Sequence, residues 1–121
     1  MKAPLDLINQ DPVFVGDFEN ESQVFGSFEV SDKEKAEYKI LFASYDTPSY
    51  DGYAWGLCIK KGTADLLEFS GSHCSCYGLE GQFTPEPVVL AELQQRLTKG
   101  TFGDDAYKKE AIEFLGITNE N

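Results

Sequence analysis

Residues 71 to 82 read Gly-Ser-His-Cys-Ser-Cys-Tyr-Gly-Leu-Glu-Gly-Gln and gather the only histidine of the chain, two of its three cysteines and three of its eleven glycines. Thiols and an imidazole are the side chains that hold zinc, and a zinc site takes about four of them in a tetrahedral array. Cys74 and Cys76 would need Cys58 from a neighbouring strand and a His73 that turns back to complete such a set. The Cys-x-Cys spacing matches none of the finger or ribbon patterns. A thiol nucleophile is the second chemistry, because a nearby imidazolium or helix N-terminus lowers a thiol pKa. If residues 72 to 77 are extended, Ser72, Cys74 and Cys76 point one way and His73, Ser75 and Tyr77 the other. A base would then have to come from elsewhere. The plain alternative is that Cys58, Cys74 and Cys76 are small buried hydrophobes and His73 a hydrogen-bonded loop residue. Gly71, Gly78 and Gly81 allow sharp turns and close approach, which also leaves open a small-ligand binder or sponge.

Other chemistries lack their residues. There is no phosphate-cradling GxxxxGK[ST], no HExxH and no GxSxG. Gly78-Leu79-Glu80-Gly81 has the GxxG spacing of an RNA-binding loop without basic surroundings. Tyr50, Tyr53, Tyr77 and Phe83, with His73 and Glu80 beside them, form a candidate patch for a protein partner, since aromatic anchors carry interface energy. Core packing is the alternative use of the same rings.

Charge narrows the partners. Twenty-one acids against ten bases give a net charge of -11, which repels phosphate backbones and anionic membrane surfaces. Direct nucleic-acid binding and membrane binding are therefore not expected. The acids serve either as a solvated surface or as a face for a basic partner. Lys33, Lys35 and Lys39 stand among Asp32, Glu34 and Glu37, which counts against mimicry of DNA. Apolar runs such as Val88-Val89-Leu90-Ala91 fall far short of the roughly 20 residues that span a bilayer. Asp6 follows closely on Met1 with no apolar segment between, and the cysteine number is odd. Both point to a reducing, cytoplasmic setting.

The elements that must position these residues follow from periodicity. A chain of 121 residues fits a single domain, residues 1 to 121. Residues 1 to 22 suggest a turn of helix and a short extended piece. Gln23 to Val30 alternates as a first main strand, with Val24, Phe28 and Val30 on one side and Phe25 on the other. Ser31 to Glu37 reads as a polar loop with at most one helical turn. Tyr38 to Tyr45, Tyr53 to Lys60 and Thr63 to Ser70 read as three further strands. The middle one sets Tyr53, Trp55, Leu57 and Ile59 against the small residues Ala54, Gly56 and Cys58, leaving a face on which a neighbour can pack closely. Thr84 as cap and Pro85 in the first turn open a helix to about Lys99, with Val89, Leu90, Leu93 and Leu97 as its apolar stripe. A second helix runs from about Asp104 to Leu115. The expected class is α+β: a mostly antiparallel meander of about four or five strands with two C-terminal helices packed on it.

The run from Ser72 to Gln82, followed by Phe83 and Pro85-Glu86, resembles the core of a group of small bacteriophage proteins of uncharacterised chemistry. Similarity extends from residue 53 to about residue 97, and where that group has Trp after the Gln this chain has Phe83. The resemblance implies a phage origin and a bacterial host cytosol, and it carries over no catalytic residue and no cofactor. The function it implies is that of an accessory protein that binds a host protein or defence complex through an acidic surface, including inhibition of bacterial immunity. The rivals are a thiol- or zinc-dependent enzyme centred on Gly71 to Gln82 and the small-ligand sponge.

Overall fold

The computed structural model describes residues 2–47, 51–75, 78–99 and 107–117. Alternation of large and small side chains makes β3 (Gly52–Lys60) the middle of a five-stranded sheet ordered β1-β2-β3-β4-β5. β2 (Tyr38–Asp46) and β4 (Leu66–His73) flank it antiparallel, with Asp46 opposite Tyr53 and His73 opposite Gly52. β1 (Val13–Gly16) joins β2 in parallel, Gly16 beside Tyr45, and the two-residue β5 (Glu86–Pro87) lies on the outer edge of β4. The mostly antiparallel α+β class expected from periodicity is the class observed.

Helices cover both faces. α1 (Pro4–Asn9), α4 (Leu90–Lys99) and α5 (Lys108–Leu115) bury Leu7, Leu93, Leu97, Phe114 and Leu115 against Leu41, Phe42, Trp55, Leu57 and Ile59. On the other face α2 (Glu21–Phe28) sets Val24, Phe25 and Phe28 on Ile40, Ala43, Ala54, Cys58 and Phe69. A bulge in β2 makes this division possible. Ile40 pairs with Cys58 and Phe42 with Leu57, so Leu41 is the extra residue. It places Ile40 in one core and both Leu41 and Phe42 in the other, where simple alternation would have kept Ile40 and Phe42 together.

Three expectations are corrected. Gln23 to Val30 is not a strand: α2 occupies it, because Asn20 accepts from the Gln23 N–H at 2.9 Å and Val24, Phe25 and Phe28 form a helical face. The left-handed Glu29, with φ 53°, ends it by donating to the Gly26 carbonyl. Ser31 likewise caps a short helix, α3 (Asp32–Glu37), six residues where a polar loop with at most one helical turn was expected; it buries no side chain. Thr84 and Pro85 do not open a helix. Glu86 and Pro87 add to the edge of β4, the Val88 N–H bonds the Leu66 carbonyl, and α4 starts only at Leu90. Proline is tolerated on an edge because its missing N–H would have faced solvent. Val89 is 58% exposed, so the apolar stripe of α4 rests on Leu90, Leu93 and Leu97. β4 lies about three residues later than the alternation suggested, which carries the ladder through His73. Of the second C-terminal helix, the part before Tyr107 falls outside the described residues.

The small face of β3 is filled by its neighbours. A Cβ on Gly56 would stand 2.3 Å from the Phe69 ring and 2.5 Å from the Phe42 carbonyl oxygen, whereas one on Gly26 in α2 would meet nothing within 4 Å. Gly56→Ala should therefore destabilise by roughly 1–3 kcal/mol, and Gly26→Ala should stabilise by roughly 0.5–1 kcal/mol. Urea unfolding midpoints check both, and opposite signs are expected.

Candidate functional site

The topology brings four strand ends together. β1, β2 and β4 finish, and β3 begins, at the same end of the sheet. Asp46 ends β2 there, and the segments that leave the sheet carry Asp17 and Glu19 after β1, Asp51 between β2 and β3, and Glu80 after β4, with no Lys or Arg. The opposite end is mixed: Lys33, Lys35 and Lys61 stand with Asp32, Glu34, Glu37 and Asp65. Charge is thus polarised along the strands, and one end of the sheet is purely acidic in its loops.

His73 sits at this acidic end with both ring nitrogens engaged. Nδ1 lies 2.9 Å from the Cys74 carbonyl oxygen, which can only accept, so Nδ1 carries the proton. In the neutral ring Nε2 is then the acceptor for the Tyr45 hydroxyl, 2.6 Å away. The imidazole lies over Gly52, where a Cβ would come within 2.3 Å of Nε2. Burial pushes the Tyr45 hydroxyl above its ordinary pKa, and the neighbouring Asp17 and Glu80 add to the shift. A lone pair already bonded to a phenol that holds its proton is not placed to act as base for a thiol.

The glycine-rich turn after β4 is bolted to the sheet. The Gln82 amide pairs both main-chain groups of Ser72, accepting from its N–H and donating to its carbonyl at 2.9 Å each, and also donates to the Gly78 carbonyl at 3.1 Å. The side chain thereby stands in for a strand partner on an edge that β5 does not reach. The Gly81 N–H bonds the Phe28 carbonyl at 3.2 Å, Leu79 is buried, and Glu80 accepts from the Gly78 N–H while remaining exposed. Gln82, Gly81 and Leu79 thus hold the turn, which presents Glu80 at the acidic end.

The other candidates scatter. Tyr50, Cys76 and Tyr77 lie outside the described residues. Phe83 is buried with its ring 5.2–5.9 Å from Phe25, Phe28, Tyr38 and Phe69, so it anchors the turn in the core. Tyr53 is half-buried, its ring 6.0 Å from Tyr107, which itself stacks on Trp55 at 4.8 Å. Cys58 is wholly buried, and burial pushes its thiol up to about 12. It faces Leu67, six residues along β3 from the Gly52 that faces His73, a separation of about 20 Å. Cys58 and His73 therefore cannot share one metal ion. Among the described residues no three His, Cys, Asp or Glu side chains are grouped to hold a metal.

Sequence reasoning passed over Tyr45, Asp17, Asp46 and Asp51. Their only sequence-level mark is that each acid sits at a strand end. Between them, Val15, Gly16, Ser44, Tyr45, Asp46, Tyr53 and Tyr107 line a cleft of about 40 Å³, room for little more than a water or the tip of a side chain. Trp55 Nε1 and Arg96 both donate to Glu68, the arginine through two bonds of 2.8 and 2.9 Å, which ties α4 to the sheet below this cleft.

Comparison with protein-family models, with curated proteins and with solved structures finds no match to this chain. Among the described residues no helix is long and apolar enough to cross a membrane.

Gln82→Ala should cost roughly 1–2 kcal/mol, the loss of hydrogen bonds to a strand edge. Amide exchange at Ser72 should accelerate while exchange at Leu57 is unaffected beyond the global change. Protection of Ser72 equal to wild type would show that Gln82 does not hold this edge.

Proposed function

We propose that the chain is a binding protein whose acidic sheet end engages a basic surface of a protein partner. The observation that carries this reading is the composition of that end: four acids in its three loops, Asp46 at the end of β2, and no Lys or Arg. Fields of one sign around a shallow cleft steer an oppositely charged partner and raise its association rate. The phage resemblance of the Ser72 to Gln82 core makes the partner a protein of a bacterial host, such as a nucleic-acid-handling defence complex whose own anion-binding surface is basic. Binding would then block that surface by competition, without any reaction. Against the thiol- or zinc-centred rival stand the engaged His73 ring and the distance of Cys58.

The test is salt-resolved capture from host lysate with wild-type protein and with the triple variant Asp17→Asn, Asp51→Asn, Glu80→Gln. The substitutions keep the acceptors used by Thr47 and Gly78 and so preserve the fold. A stoichiometric host protein that elutes as salt screens charges beyond about 8 Å, and binds the variant roughly tenfold more weakly, is the expected result. Capture that is unaffected by salt and by the triple variant would refute the acidic-end reading.

A further inference from the structure

The cleft at the acidic end belongs to one face of the sheet. Ser44 and Asp46 stand two residues apart on β2; in the ladder Ser44 pairs with Val15 of β1 and Trp55 of β3, and Asp46 with Tyr53. Paired and alternate residues share a face, so Val15, Ser44, Asp46 and Tyr53 come together. Tyr107, at the start of α5, completes the wall with its ring 6.0 Å from that of Tyr53. The Tyr45 ring falls on the opposite face, where it meets His73. The space of about 40 Å³ is thus bounded by two phenol rings and a valine around one carboxylate and one serine.

The polar groups of this cleft call for a donor. Ser44 is the buried polar residue among those described, 5% exposed, and its hydroxyl gives its proton to the Trp55 carbonyl at 3.2 Å. Its oxygen has only lone pairs left to offer, and a carboxylate such as that of Asp46 only accepts. Burial pushes the Tyr107 phenol up to about 12 and raises that of Tyr53, so both rings stay neutral and present the negative face of the π-system. At each phenol the charge of Glu68 outweighs that of Arg96. Arg96 is held on Glu68 through two hydrogen bonds and is not part of the lining.

Acceptors, aromatic faces and a negative field together select a cation. The described carboxylates are not grouped to hold a metal ion. Size narrows the choice further, because the space admits the tip of one side chain. A compact ammonium on a methylene stem fits that description, whereas a guanidinium spreads its charge over a broad plane.

We propose that this cleft receives one lysine side chain of the protein partner, with the ammonium on Asp46 and Ser44 and its last methylenes against Val15, Tyr53 and Tyr107. The inference rests on the acidic-end reading and deepens it: the loops steer a basic surface, and the cleft takes a single lysine from that surface as its anchor.

The experiment is an NMR titration of the full chain at constant ionic strength, followed at the ring protons of Tyr53 and Tyr107 and at the Asp46 amide. The probes are acetyl-Gly-Lys-Gly-amide and its arginine and norleucine counterparts. Saturable shifts are expected with the lysine peptide, roughly fivefold weaker binding with arginine, none with norleucine, and roughly tenfold weaker lysine binding in Asp46→Asn. Should Asp46→Asn fail to fold, the three peptides on the wild-type chain carry the test alone. Lysine-peptide shifts no larger than those of the norleucine peptide overturn the proposal, as does an arginine peptide that binds as tightly as lysine. Asp17, Asp51 and Glu80 do not line the cleft, so the two readings fail separately. A silent lysine peptide beside salt-sensitive capture removes the cleft and leaves the acidic-end reading. Lysine binding beside capture that ignores the triple variant keeps the cleft and removes the steering role of the loops.

Discussion

Gly52 and Gly56 leave two gaps on one face of the central strand, and the rings of His73 and Phe69 occupy them. Most of that side of the protein depends on this fit. With Phe69 lying flat across β3, the rings of Phe28 and Phe83 close over it at 5.6 and 5.2 Å. Each buried Phe contributes on the order of 1.5–3 kcal/mol, so the aromatic layer is the main support for α2 and for the turn after β4. Gly71 extends the same logic: Phe28, Leu79 and Gln82 lie within about 3 Å of where its Cβ would be. Small residues in the sheet let the covering layer approach, and the covering layer then fixes the turn that carries Glu80.

The same packing governs the electrostatics. His73 over Gly52 can reach Tyr45 two strands away, and its Nδ1 proton is spent on the chain that leaves β4. Both ring nitrogens are thus engaged at an end of the sheet whose loops are acidic. The acidic end is thus a product of topology, and it makes sense of a chain that is strongly acidic yet mixes Lys with Glu at the other end.

Three strands between Tyr38 and His73 were legible from period-two alternation, although the bulge at Leu41 breaks it in β2 and β4 runs about three residues later than it suggested. Residues 23–30 were not, since Val24, Phe25, Phe28 and Val30 satisfy a helical and an extended template alike; the cap at Asn20 decides between them, and caps are read only when sought. Thr84 and Pro85 carried helix-start chemistry that the free edge of β4 overrode. The candidate site was half visible. The sequence marks His73 and Glu80, but Asp17, Asp46 and Asp51 converge on them only through strand order, and Tyr45 is 28 positions from the histidine it bonds. The cysteines drew attention for their reactivity, while Cys58 serves as the small side chain that the face of β3 requires.

The most direct measurement is the tautomer of His73, by long-range proton–nitrogen correlation of the single imidazole in uniformly labelled protein near neutral pH. The account predicts a proton on Nδ1 and an unprotonated Nε2 whose signal changes in Tyr45→Phe. A ring protonated on Nε2, or one that exchanges freely between tautomers, would contradict the scaffold reading and return the histidine to the list of groups available for chemistry.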